Sequence, residues 1–124
     1  MYEYAATILR VVDGDTVEAE VDLGFDVRHR MKLRLFGINA PEMKTPEGLP
    51  AKQHLIALLH PGAPAEALAF LATQSVEVTI RTQKDRQEKY GRYLADIFVG
   101  LNTPGQIWVN RRMVDDGFAV VYEP

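Results

Sequence analysis

The chain has 124 residues, 47% of them hydrophobic, with a formal net charge of −3 and a pI near 5.6. That is enough apolar material for one compact core and too little length for two. The acidic balance argues against a protein that coats nucleic acid through bulk charge, and the absence of cysteine removes disulfides, thiolate metal sites and cysteine nucleophiles. No run of apolar residues is long enough for a membrane span, and Met1 opens neither a cationic start nor an apolar leader, so a cytoplasmic location is expected, although a mature secreted form would read the same.

Residues 5–12 read as a strand and Asp13-Gly14-Asp15 as a hairpin turn, because Asp-Gly adopts the backbone that tight hairpins require. Val17, Ala19 and Val21 then alternate inward against Thr16, Glu18, Glu20 and Asp22 outward. Leu23-Gly24-Phe25-Asp26 turns the chain into a third strand. On it Val27, His29, Met31, Leu33 and Leu35 share one face and Arg28, Arg30, Lys32 and Arg34 the other. Gly37 lets the chain turn and Pro41 stiffens it, so that Glu42 is presented to solvent. Residues 43–50, with two prolines and a glycine, are expected to form an exposed loop. Helical spacing follows over 51–59, with Leu55, Ile56, Leu58 and Leu59 on one side, until His60-Pro61-Gly62-Ala63-Pro64 breaks it.

A second helical run is expected over 65–73, a fourth strand from the alternation of Val76, Val78 and Ile80, a mobile polar loop over 82–91, and a fifth strand over 93–99. Asn102-Thr103-Pro104-Gly105 is a turn, residues 109–116 a short helix ended by Gly117 in the left-handed cap position, and residues 118–122 extended. Phe36, Phe98 and Trp108 are expected in the core rather than as stacking platforms. The sum is a mainly β fold with α: a five-stranded Greek-key barrel of the OB type with helices packed at one end, a single domain over 1–124.

Positive charge gathers at 28–34, at 84–92 and at Arg111-Arg112, and local basic patches on an acidic body suit a site that handles one or a few phosphates. Four fragments stand out: Asp13-Gly14-Asp15-Thr16, the run from Arg34 through Asn39-Ala40-Pro41-Glu42, Glu88-Lys89-Tyr90-Gly91-Arg92, and Val109-Asn110 leading to Asp116-Gly117-Phe118-Ala119. In this order and spacing they resemble the staphylococcal nuclease family over most of the chain. The resemblance implies an OB-fold phosphodiesterase that binds calcium and hydrolyses DNA and RNA, leaving 3′-phosphate ends. It implies Asp15 as a direct calcium ligand beside Asn39 and the backbone carbonyl of Ala40, with Asp13 a supporting acid. By the same resemblance Arg34 and Arg92 grip the scissile phosphate and Glu42 takes the proton of the attacking water or orients it. Tyr90, Lys89 and Tyr122 would contact the nucleotide.

The chemistry agrees. Negative charge accumulates on the phosphoryl oxygens as water adds, so cations must be fixed in advance, each worth roughly 3–4 kcal/mol. The arginine fork meets two phosphate oxygens and keeps its charge. Oxygen-only ligands favour calcium or magnesium over zinc.

The chain departs from the family at several places: Asn39 stands where an aspartate is common, Ala40 where threonine is frequent, and an insertion lies around Pro61 to Pro64. Loss of a charge beside the metal should weaken its binding, which keeps a second reading open, a catalytically weakened or inactive OB module that binds nucleic acid or protein. Asp13 and Asp15 also read as plain turn residues and Arg92 as a strand-start cation. His29, His54 and His60 share no spacing that suggests chemistry. A monomer acting on DNA or RNA, away from membranes, is expected.

Overall fold

A computed structural model describes the backbone of residues 2–87 and 91–122 and the side chains of residues 2–82 and 91–122. β1 (Tyr2–Asp13), β2 (Thr16–Asp22) and β3 (Arg28–Leu35) form the antiparallel meander, joined by the tight turn at Gly14-Asp15 and the longer one at 23–27. β5 (Val76–Gln87) pairs antiparallel with the first half of β1, and β6 (Tyr93–Val99) antiparallel with β5. The barrel closes where β6 meets β3 in parallel, Leu33 opposite Tyr93 and Leu35 opposite Ala95. That single parallel contact in an otherwise antiparallel sheet completes the five-stranded OB arrangement. Two-residue strands complete the element list: β4 (Ile38–Asn39) pairs with β8 (Val120–Val121), and β7 (Ile107–Trp108) with β6.

Strand alternation fills the barrel. Val17, Ala19, Leu33, Leu35, Ala95 and Ile97 are inaccessible to solvent, while Glu18, Lys32, Arg34, Leu94 and Asp96, which alternate with them, are on the outer side. α1 (Gly48–Leu59) buries Ala51, Leu55, Ile56, Leu58 and Leu59 against this core, and α3 (Val109–Asp115) adds Val109 and Met113. Gly117 closes α3 at φ 85°: its N–H bonds Val114 O and the next N–H bonds Met113 O, satisfying two carbonyls the helix leaves open.

Several expectations are corrected. The loop expected over 43–50 stops at Glu47, because α1 begins at Gly48; Pro50 falls in the first turn, where its missing N–H would have had no helical partner. The second helix is a 3-10 turn (Ala65–Ala67) followed by a single α turn, α2 (Leu68–Leu71). In place of a loop from residue 82, the β5 backbone continues to Gln87, which pairs with Tyr93; ladder bonding belongs to the main chain, and polar composition does not announce it. Val27 and His29, grouped on one face with Leu33 and Leu35, are exposed, since the first part of β3 runs beyond the core. Trp108 is 44% exposed instead of buried, its indole N–H bonded to Asp96 and its ring stacked on Phe98.

Candidate active site

The site forms on the outer wall of the barrel, where the β1–β2 turn meets the ends of β3 and the start of β6. Thr16 and Arg34 are register partners, and Arg34 lies opposite Leu94 on β6. Because Leu33 and Leu35 point into the core, Arg34 points out. Parallel pairing of Leu33 with Tyr93 sets the preceding residue, Arg92, at the level of Lys32 on the same outer wall.

Contacts among these residues are short and mutual. The Thr16 hydroxyl donates to Asp15 Oδ1 at 3.0 Å and accepts from Arg92 Nη1 at 3.2 Å. The Ala40 N–H donates to Asp15 Oδ2 at 2.9 Å, and Arg34 Nη2 approaches the same oxygen at 3.7 Å. Arg34 is held by its fork as well, Nη1 donating to Ile38 O at 3.1 Å and Nη2 to Asn39 Oδ1 at 3.0 Å. The Arg34 and Asp15 side chains are only 12% and 10% exposed, so their charges act with less screening than surface ions. Asp13 Oδ1 accepts the Asp15 N–H at 3.0 Å, which rigidifies the turn. Burial holds the Asp13 carboxyl above the ordinary carboxylate range, and the adjacent Asp15 side chain pushes the same way, against the lowering hydrogen bonds from the Asp15 backbone and Thr16.

Two glycines allow the close approaches. A Cβ on Gly14 would meet the methyl groups of Ala40 and Ala51 at 2.7 and 2.9 Å, so only glycine lets the β1–β2 turn sit against both. A Cβ on Gly48 would overlap the Glu42 carbonyl and Met43 Cα, so the Glu42 loop folds back onto the start of α1. The Glu42 carbonyl accepts both the N–H and the hydroxyl of Thr45, at 2.9 and 2.6 Å.

The expected residues therefore divide. Asp13, Asp15, Asn39, Ala40, Arg34 and Arg92 are linked through shared contacts. The Glu42 carboxylate stands outside that network: it is 71% exposed and pairs with Lys44 Nζ at 3.2 Å. Tyr122 lies over the Arg34 guanidinium, 5.5 Å from Cζ to ring centroid, and its N–H donates to Gly37 O. Tyr90 and Lys89 fall outside the described residues.

Two residues matter that were given no role from sequence. Thr16 bridges Asp15 to Arg92. Asn110, 2% exposed, accepts the Ile97 N–H at 2.9 Å and donates to Phe36 O and Ala95 O, both at 3.0 Å. It thereby continues the β6 edge after β3 has ended. Both lie inside the motif fragments.

Among the described residues no three His, Cys, Asp or Glu side chains cluster as a metal site. The donors present are nevertheless of the kind a hard cation takes: the Asp15 carboxylate, the Asn39 amide oxygen and the Ala40 carbonyl. Each Asp15 oxygen accepts one strong hydrogen bond and each retains a lone pair, as does Asn39 Oδ1. The set fits calcium or magnesium in type, at low formal charge.

The fold is a closed OB barrel that carries two guanidinium groups and a buried acid on its outer wall. The chain belongs to the family described as staphylococcal nuclease homologue, which matches residues 32–124. It is 31% identical to an uncharacterised protein of Methanocaldococcus jannaschii, over 96% of this chain and 59% of that one. It is 34% identical to an uncharacterised endonuclease of Escherichia coli, over 94% and 60%, and 29% identical to a micrococcal nuclease of Shigella flexneri, over 97% and 59%. The chain thus spans about three-fifths of the length of the curated relatives it matches. Among the described residues no helix is long and apolar enough to cross a membrane.

Proposed function

We propose that this chain is a metal-dependent nuclease that hydrolyses phosphodiester bonds of DNA or RNA, with calcium as the first-choice ion and magnesium as the alternative. The observation that carries the reading is the contact chain Arg34–Asp15–Thr16–Arg92, which fixes two permanent cations on one wall before any substrate arrives. A phosphodiester bridged between the two forks would have its non-bridging oxygens met by N–H donors, and the added negative charge of the five-coordinate state would be stabilised where it develops. Arg34 is pre-oriented by Ile38, Asn39 and Tyr122, so little reorganisation accompanies the reaction.

Asp15, Asn39 and the Ala40 carbonyl would hold the ion, with Asp13 behind Asp15. When bound, it adds a polarising charge on the phosphate. Glu42 serves as general base: its carboxylate takes a proton from water as that water's oxygen bonds to phosphorus, and the leaving alkoxide is protonated from solvent. For this role Glu42 exchanges its Lys44 partner for the water, a change between exposed groups worth about 1 kcal/mol or less. Products would be a 3′-phosphate and a 5′-hydroxyl.

A second reading is favoured by Asn39, whose amide replaces a charge and whose oxygen is tied to Arg34, and by the solvent-exposed Glu42: a module that binds nucleic acid with little or no turnover. One experiment separates them. Single-stranded DNA and RNA are incubated with the protein in calcium, in magnesium and in chelator, beside Glu42→Gln. Cleavage that needs the ion and falls at least 100-fold in Glu42→Gln supports the enzyme. Binding with equal, negligible turnover in both proteins supports the module.

A further inference from the structure

We propose that the outer face of β3 is a track for the flank of a single-stranded nucleic acid, leading from the phosphate site at Arg34 past Lys32 and Arg30 to Arg28 and the exposed hairpin tip at Phe25. This rests on the proposed reading only for where the track begins. Arg28, Arg30, Lys32 and Arg34 occupy alternate positions of one strand, so their Cα atoms repeat every ~6.8 Å. That repeat is of the order of the phosphate separation in a stretched single strand, and the four positions cover ~20 Å. Arg92 stands at the level of Lys32, which makes the cationic line continuous with the site.

β2 sets three acids beside this line: Glu18 opposite Lys32, Glu20 opposite Arg30 and Asp22 opposite Arg28. Their side-chain pairing leaves two cations over. Glu18 is taken by Arg10 from β1 at 3.0 Å, and Glu20 is paired diagonally with Arg28 at 3.5 Å. Asp22 accepts the Gly24 N–H in the turn. Arg30 and Lys32, both exposed, form no close ion pair with a described residue and feel Glu18, already bound by Arg10, at longer range. Phosphates spaced along the strand would supply the missing partners, while the three acids restrain nonspecific attraction. Beyond Arg28 the turn holds Phe25 fully exposed at φ 54°, an aromatic face open to a base at the end of the track.

The test is equilibrium binding of a fluorescent ten-nucleotide oligothymidylate, followed by anisotropy in chelator across a range of salt, with the full chain. Arg30→Gln/Lys32→Gln is compared with Arg111→Gln/Arg112→Gln, which makes the same change in net charge on the exposed side of α3. Expected is a loss of about 10- to 100-fold for the β3 pair, with the slope of log affinity against log salt smaller by about 1.4, and no loss for the α3 pair. Phe25→Ser is expected to weaken the same complex about tenfold. Equal losses in both pairs, an unchanged β3 pair, or no binding by the wild type would overturn the track, and an unaffected Phe25→Ser would overturn its extension to the tip. Because the readout needs no hydrolysis, a protein that binds in this pattern yet fails to cleave when calcium or magnesium is supplied refutes the nuclease reading and leaves the track standing.

Discussion

Replacing Asn39 by aspartate is the most informative single change at this site. The Asn39 amide oxygen lies 3.0 Å from Arg34 Nη2, and the next residue ties its N–H to Asp15. An added carboxylate about 4 Å from a divalent ion gains about 8 kcal/mol of gross attraction at an effective dielectric near 20. Most of that is cancelled. Residue 39 is exposed, so the new carboxylate must give up hydration, and Arg34 already offers it a neutralising partner. A net gain of about 1.4–2.8 kcal/mol is expected, a 10- to 100-fold lower calcium requirement. In chelator, attraction to Arg34 and repulsion from Asp15 oppose each other, so stability should change by less than about 1 kcal/mol. Calcium titrations of cleavage rate and of melting temperature check both statements. A calcium requirement that stays the same or rises in Asn39→Asp would show that residue 39 does not face the ion, and the metal assignment would fall.

Three further outcomes are expected. Asp13 is held above the ordinary carboxylate range by burial, so the unfolded chain releases its proton first and the folded state loses stability as pH rises from about 4 through the raised value. Asp13→Asn keeps the acceptor for the Asp15 N–H and removes the charge; urea unfolding should show it more stable than wild type at pH 7 and equal to it near pH 3, and a variant no more stable at pH 7 refutes the burial account. Thr16→Val removes the donor to Asp15 and the acceptor for Arg92, with about 1–2 kcal/mol of stability lost and kcat reduced at least tenfold at little change in KM, while Thr16→Ser recovers most of kcat; equal deficits in both variants would reduce Thr16 to packing. Asn110→Ala strands the Ile97 N–H and the Phe36 carbonyl in the interior, at about 2–4 kcal/mol by chemical denaturation; a loss under 1 kcal/mol would show that water replaces the amide.

Much of the barrel was legible because its strands obey a period of two with one face buried. The Asp-Gly turn, the inward run Val17-Ala19-Val21 and the Gly117 cap are all where local rules put them. What sequence did not give are features fixed by partners distant along the chain. Pro50 masked the first turn of α1, and the β5 continuation to Gln87 exists only through β6. Trp108 is hydrophobic by composition, yet its N–H needs an acceptor, and Asp96 supplies it at the surface. The site residues were readable as motif fragments, but the link through the Thr16 hydroxyl is a property of register, and the separation of Glu42 from the rest follows from how Gly48 seats its loop.

The register that joins Arg34 to Arg92 is enforced by the core rather than by the site. Shifting β6 by one residue against β3 would turn Ala95 and Ile97 out of the barrel and bring Leu94 and Asp96 in, so that a carboxylate already held above its ordinary range by partial burial would enter the apolar interior. Asn110 opposes the same shift, since its three hydrogen bonds span Phe36, Ala95 and Ile97 and fit one alignment only. The placement of the two cations is thereby a by-product of packing that would be retained with no substrate in view. It follows that substitutions in the barrel which loosen the β3–β6 contact should lower activity ahead of global unfolding, because that contact and the Thr16 bridge together set the spacing of the guanidinium pair.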